Sequence, residues 1–432
     1  MSRRVVLCVL SVLVAVGGAL AGPGGGLALA RAANHSNVVI DWNHYMLTTF
    51  AVANVPPPTA TRLGAIVQAS VFDAVNGVEP SYTAIHVAPA APDGTSPKAA
   101  AVGAAYTSLL SFFPLQKTAL DADLAASIAG INQDDGSNPA VVQGLSWGKT
   151  VADQILAWRA ADGFNAALSP YINGTSIGDW QPTPGGSGPP KFRTLATTTP
   201  FALTSPSQFR PAGPPALDSA RYAADFKEVK DYGGATSTLR TANQAETAIF
   251  WQGDTPTDMW DRVADSLAQE HHYNLLRSAR LLAFVNVAEA DAAIAVWDAK
   301  NKFNTWRPVT AIAQAALDGN SKTDTEAGWT PLLVTPYFQE YPSGHSGVSS
   351  AATSVLASFF GANSDFTITS NGLPGVQRSF TSFPSAIAQV ADARVFAGFH
   401  FRFSCDDAAR MGVQIAGYAE SKLMQPLDGE ED

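Results

Sequence analysis

Alanine-rich stretches with apolar residues at three- and four-residue spacing recur along most of this 432-residue chain, and that period admits helices and little else. Ile40 to Val55, Thr59 to Val78, Pro97 to Phe113, Leu115 to Ile131 and Pro139 to Gly163 all carry it. Pro56-Pro57-Pro58 separates the first two stretches and Pro114 closes the third, because proline lacks the amide that continues a helix. The spacing returns at Ala216 to Tyr232, Thr241 to Gln252, Thr257 to Asn304 (long enough for two helices), Ser343 to Phe360 and Pro384 to Leu423. No segment alternates over a convincing strand length, so the expected fold class is all-α. Asn165 to Pro215 differs: its Gly, Pro, Ser and Thr content predicts a long ordered loop crossing the surface.

A hydrophobic fraction of 46% against 15% charged residues suits one large core, read here as a single domain over 33–432. Before it, Arg3-Arg4, the apolar run Val5 to Leu20 and the small residues of Ala28-Leu29-Ala30 or Ala30-Arg31-Ala32 have the pattern of a signal peptide over residues 1–32. The expectation is therefore a secreted protein, exported by the general or the twin-arginine route, with no membrane span in the mature chain. Losing Arg3, Arg4 and Arg31 takes the formal net charge of −10 to about −13. That surface disfavours nucleic acid and anionic membranes as partners. Cys8 leaves with the signal, and Cys405 alone can form neither an intrachain disulfide nor a cysteine zinc site.

Against this acidic background, the C-terminal third gathers three permanent cations and two histidines: Lys300, Arg307, Arg394, His345 and His400. A tetrahedral oxyanion needs charge and donors from several directions, which is what such a set offers. Ser343 is a good N-cap, and Gly344 in the following turn leaves an amide free to face an anion beside His345. An ordinary capped helix with a surface histidine fits the same residues. Lys300 and Arg307, seven apart, fall on one face if one helix runs through both, about 700°. A solvated basic stripe with Lys302 is the alternative, weighed against Trp297, Trp306 and a helix stop at Pro308. Arg394 and His400 flank Gly398, where backbone can approach a ligand or a second helix. A satisfied core histidine among Phe399, Phe401 and Phe403 is the alternative there.

In combination and order, Lys300-x6-Arg307-Pro308, Pro342-Ser343-Gly344-His345 and Arg394-x5-His400 resemble the signature of the vanadium-dependent haloperoxidase and type-2 phosphatidic acid phosphatase superfamily. Trp297, three residues before Lys300, and Phe338, seven before His345, resemble the haloperoxidase branch, whose fold is similar to two packed four-helix bundles. The chain departs from the pattern twice. Ala393 stands where the third motif usually has Ser, and Ser404 where an Asp commonly follows the last histidine by four. In phosphatases that Asp orients the nucleophilic histidine, so Ser404 weighs against a strong phosphatase.

The resemblance implies a vanadate cofactor bound through His400 as its single covalent ligand. Lys300, Arg307 and Arg394 would offset the charge on its oxygens, and Ser343 and the Gly344 amide would complete the cage. His345 would be the acid–base group toward hydrogen peroxide, and Lys300 would polarise the peroxide toward halide. Trp297 and Phe338 would line the substrate pocket. The implied reaction is oxidation of chloride or bromide to hypohalous acid or a halogenated small organic product. Phe338 stands where the bromide-restricted enzymes have an extra histidine. The alternatives are a secreted acid phosphatase, which cleaves a phosphate ester through a phosphohistidine at His400, and a non-catalytic oxyanion-binding protein. A homodimer is an open expectation. His271-His272 point about 100° apart on a helix, poor geometry for one metal, and are read as structural. His35, His44 and His86 are isolated, and Asp291 is read as a partner for a site cation or His345.

Overall fold

The computed structural model describes residues 37–135 and 138–427, and the expected signal peptide lies outside them. Thirteen α-helices form among the described residues, largely where the apolar spacing places them. They are α1 (Val38–Val52), α2 (Pro57–Val78), α3 (Pro97–Phe112), α4 (Lys117–Asp135), α5 (Asn138–Ala160), α6 (Ala220–Gly233), α7 (Ala242–Gln252), α8 (Pro256–Glu270), α9 (Leu275–Phe303), α10 (Pro308–Ala313), α11 (Gly344–Phe360), α12 (Phe383–Phe396) and α13 (Arg402–Lys422). The fold is all-α, with two bundles in contact. Helices α1–α5 pack among themselves, and α8, α9, α11, α12 and α13 form the second group. The seam is α9, buried over most of Ser278 to Lys300, which lies against both α2 and α11.

Small residues let these helices approach closely. A Cβ on Gly148 of α5 would stand 2.1 Å from the Ala100 carbonyl oxygen of α3, and one on Gly412 of α13 would stand 2.4 Å from the Gly347 oxygen of α11. No described helix is long and apolar enough to cross a membrane.

Three expectations are corrected. The region from Thr257 to Asn304 does divide in two, but His271 and His272 sit in the turn between α8 and α9, with His272 at φ 53°. A short antiparallel hairpin, β1 (Phe366–Thr369) with β2 (Gln377–Phe380), escapes the period-two search because each strand has four residues. The loop from 165 to 215 does not merely cross the surface. Trp180, Leu195, Phe201 and Leu203 are buried, and the loop is pinned where the Trp180 amide donates to the Asn304 oxygen (2.6 Å) and the Lys191 amide to that of Tyr337 (3.0 Å).

Asp291 helps pin this loop instead of serving a cation. Its carboxylate accepts from the amides of Phe201 (2.6 Å), Ala202 (2.8 Å) and Leu203 (3.0 Å). Three amides supply what a buried carboxylate needs, so no site cation or His345 is its partner.

Where α8 meets α9 and α1, carboxyl groups are buried together. Asn286 donates to Asp261 (2.8 Å), Thr257 to Glu289 (2.7 Å) and Asn43 to Asp265 (3.0 Å). Burial pushes Glu289 and Asp265 up to about 8 and Asp258 up to about 6, and it also raises Asp261, helped by Glu289 and Asp265. Unfolded carboxyls titrate near 4, so between about pH 4 and 8 the folded chain holds protons that the unfolded chain has lost. Stability from these groups is complete below pH 4 and declines as pH rises towards 8. The melting temperature is therefore expected to be higher at pH 5 than at pH 8, with Glu289→Gln narrowing the gap. A melting temperature that climbs across this range would contradict the assignment.

The turn from α12 to α13 depends on Gly398. It holds φ 79°, and a Cβ there would lie 2.6 Å from the Gly233 oxygen. Gly398→Ala is expected to lower stability by about 1–3 kcal/mol from backbone strain, measured by urea unfolding, and an unchanged midpoint would refute the requirement.

Candidate functional site

Five helix ends converge at the site. Lys300 lies in the last turn of α9, which Asn304 closes at φ 48°. Arg307 is the N-cap of α10, and Pro308 occupies its first turn. These two cations therefore do not share one helix face, and Pro308 starts a helix where it was expected to stop one. They belong to consecutive helices, separated by the break at Asn304. Ser343 caps α11, with its Oγ accepting from the Ser346 amide (3.4 Å) and hydroxyl (3.1 Å), so Gly344 and His345 open the helix. Arg394 ends α12, and His400 stands just before α13, beyond the Gly398 turn, so this pair is not on one helix either.

A cavity of about 180 Å³ is lined by Gly344, His345, Arg394 and His400, with Trp297, Phe338, Phe192 and Gln252 among its other walls. Lys300, Arg307 and Ser343 are buried just behind this lining. The expected residues are thus brought together, but in two layers. Lys300 is the clearest departure. Its Nζ donates to the carbonyls of Gln339 (2.9 Å), Glu340 (2.9 Å) and Pro342 (2.6 Å), which uses all three ammonium protons. In this arrangement it ties down the segment before α11 and has no proton left for a peroxide.

Arg307 donates from Nε to the Phe338 oxygen (2.8 Å) and from Nη1 to the Phe399 oxygen (3.0 Å) and to His400 Nε2 (3.1 Å). Guanidinium has no acceptor, so Nε2 must be the bare nitrogen of His400 and Nδ1 must carry the proton. Nδ1–H points to Glu340 Oε1 at 2.7 Å, and that oxygen also accepts from the Phe401 amide (3.2 Å). The orienting acid judged missing at Ser404 is thus present, supplied by Glu340 from another segment. Ser404 Oγ lies 3.4 Å from the same nitrogen. With Glu340 on Nδ1, Ser404 does not weigh against phosphatase chemistry.

Sequence reading missed three residues of this site. Glu340 had a signal, as a lone acid three residues before the Ser343 cap. Gln252, which accepts from Arg394 Nη1 (2.9 Å), and Phe192, at φ 62° with its ring 6.1 Å from Trp297 and 6.3 Å from Phe338, come from remote segments and had none.

Burial, with Arg394, Lys300 and Arg307 around it, pushes His345 well below the usual histidine value, and burial and the same cations do so to His400. Both rings are neutral near pH 7. Burial also pulls Arg394 down to about 9 and Arg307 to about 10, and pulls Lys300 well below its ordinary value, with Arg307 adding to the effect and Glu340 opposing it. Glu340 is raised to about 7 by burial, against the pull of Arg307 and Lys300.

The Glu340 carboxylate is hydrogen-bonded to His400 and to the Phe401 amide, and Lys300 meets Glu340 through its backbone carbonyl. Arg307 Nη2, Arg394 Nε and His345 Nε2 are buried without a hydrogen-bond partner. A buried donor left unmatched costs about 1–3 kcal/mol, so this is a poor way to build a plain core and a suitable way to receive an anion. The described residues hold no group of three His, Cys, Asp or Glu side chains able to bind a metal cation. A tetrahedral oxyanion such as vanadate or phosphate fits the donor set, with the bare Nε2 of His400 as its one lone pair.

Comparison with known proteins bears on the fold and the family. Residues 280–429 match the family described as the VCPO second helical-bundle domain. A vanadium chloroperoxidase of Curvularia inaequalis is 24% identical over 270 residues, which make up 47% of this chain and 44% of that protein, so the match spans less than half of the relative. The structure is similar to that of a bacterial vanadium-dependent iodoperoxidase, with a TM-score of 0.76 and 26% identity over 93% of this chain and all of the other. A bacterial vanadium-dependent chloroperoxidase shares the fold, with a TM-score of 0.67 and 19% identity over 85% of this chain and 91% of the other. The matching second bundle and the similarity along nearly the whole length support the haloperoxidase branch of the vanadium-dependent haloperoxidase and type-2 phosphatidic acid phosphatase superfamily.

Proposed function

We propose that the protein binds vanadate at this site and oxidises halide with hydrogen peroxide, converting peroxide, halide and a proton into hypohalous acid and water. One observation carries the reading: a neutral His400 with a bare Nε2, set among buried cations whose donors are not all matched. The residues that would hold vanadate are His400 through Nε2, Arg307 and Arg394 by charge, and the Gly344 amide at the start of α11. When bound, vanadate would supply Lewis-acid activation of hydrogen peroxide without redox change at the metal.

The chain's own groups do the rest. His345 lines the cavity with a neutral ring, so whichever of its nitrogens lacks a proton can take one from hydrogen peroxide and the ring can return one to the departing water. Trp297, Phe338 and Phe192 exclude bulk water, which strengthens each charge–dipole interaction inside. Lys300 holds Gln339 to Pro342 in place and so supports the wall from behind. The halides to test are iodide, bromide and chloride. Iodide joins the earlier pair because of the likeness to an iodoperoxidase. The N-terminal pattern of Arg3-Arg4 and the apolar run Val5 to Leu20 adds export from the cytoplasm to the proposal.

The second reading, phosphate ester hydrolysis, is favoured by the Glu340–His400 pair, which is the geometry of an oriented nucleophile. One preparation tests both readings. With orthovanadate, peroxide and halide it should halogenate an activated diketone, unaffected by EDTA. Without vanadate it should hydrolyse an aryl phosphate slowly at most. Fast phosphate release with no halogenation at any halide would reverse the order. His400→Ala should abolish either activity. His345→Ala should slow halogenation about 10²–10⁴-fold, the usual worth of a general acid–base group, while leaving vanadate bound. A variant that loses nothing would place proton transfer elsewhere.

A further inference from the structure

We propose that Glu340 is the positioning residue for His400, holding it as the Nδ1–H tautomer and doing from the segment before α11 what Ser404 cannot do from α13. The inference rests on the oxyanion-site reading above and concerns how its one lone pair is aimed. An imidazole presents a lone pair on one nitrogen only when the other carries the proton, and a carboxylate on that other nitrogen settles which. Two acceptors are near Nδ1: Glu340 Oε1 at 2.7 Å and Ser404 Oγ at 3.4 Å. The shorter contact is charge-assisted and the longer is marginal.

Glu340 is itself immobilised. The Phe401 amide donates to the same Oε1, fixing the carboxylate against the residue that follows His400. Lys300 grips its backbone through the carbonyls of Gln339, Glu340 and Pro342. Lys300, Glu340 and His400 thus form one rigid chain, with Arg307 pressing on the far nitrogen of the ring. A counter-charge to Lys300 and Arg307 would require only proximity. It would not require the carboxylate to meet Nδ1.

The test uses the full vanadate-free protein labelled with ¹⁵N, with the His400 ring assigned by its loss in His400→Ala. The expected spectrum shows a protonated Nδ1 and a bare Nε2. Glu340→Ala should convert the ring to the Nε2–H form or a mixture and weaken orthovanadate binding, measured by equilibrium titration, about 10–100-fold. Adding Ser404→Asp should restore both tautomer and most of the affinity, because position 404 already reaches Nδ1. A purely structural role would not be rescued in this way. Should Glu340→Ala fail to fold, Glu340→Gln keeps an acceptor oxygen and should keep the Nδ1–H form. A wild-type ring in the Nε2–H form, an unchanged ring in Glu340→Ala, or a folded double variant with no recovery would overturn the proposal. A wild type with the expected tautomer that binds neither orthovanadate nor phosphate would support Glu340 and remove the oxyanion reading instead.

Discussion

The structure turns on positive charge held inside a helical protein. Lys300 and Arg307 are completely buried, and Arg394 almost wholly so, at a junction where α9, α10, α11 and α12 each end or begin. Charges in such surroundings are tolerated only if they are bound by dipoles or partners. Lys300 is bound by three carbonyls and Arg307 by two, so backbone oxygens substitute for water. Those contacts, in turn, dictate the irregular segment from Phe338 to Pro342, which explains why a long stretch without helix is built into the core. Of the groups that remain unmatched, those of Arg394 and His345 belong to residues that line the cavity, and the chemistry follows from that remainder.

Both halide oxidation and phosphoryl transfer need the same things from a protein: a bare imidazole nitrogen, fixed cations and a proton carrier. The site holds all three, so its inner shell alone does not choose between them. The walls incline towards the first. Trp297, Phe338 and Phe192 leave about 180 Å³, apolar on most sides, a space suited to peroxide and a halide ion more than to a bulky ester.

Much of this was legible in the chain. Helices follow from a 3.6-residue period that many alanines make plain, and the three motifs name most of the charged residues at the site. What escaped the sequence did so for definite reasons. Lys300–Arg307 and Arg394–His400 were placed on helices because spacing cannot show that Asn304 and Gly398 break them by adopting positive φ. Asp291 was assigned to the site by its position on α9, yet side-chain direction around a helix sends it to the amides of 201–203. Gln252 and Phe192 reach the cavity from segments whose local sequence says nothing of an anion. Glu340 does from a remote segment what the motif gives to position 404, because the fold brings the two positions together beside His400.

The central claim is that these buried donors are arranged for a tetrahedral anion. Thermal unfolding of the vanadate-free protein against increasing orthovanadate, with phosphate in parallel, tests it most directly, because a ligand that binds only the folded state raises the melting temperature with its concentration. The expected result is a saturable rise with both anions, larger for orthovanadate, in which His400→Ala removes the excess of orthovanadate over phosphate. A melting temperature that neither anion moves would contradict the account.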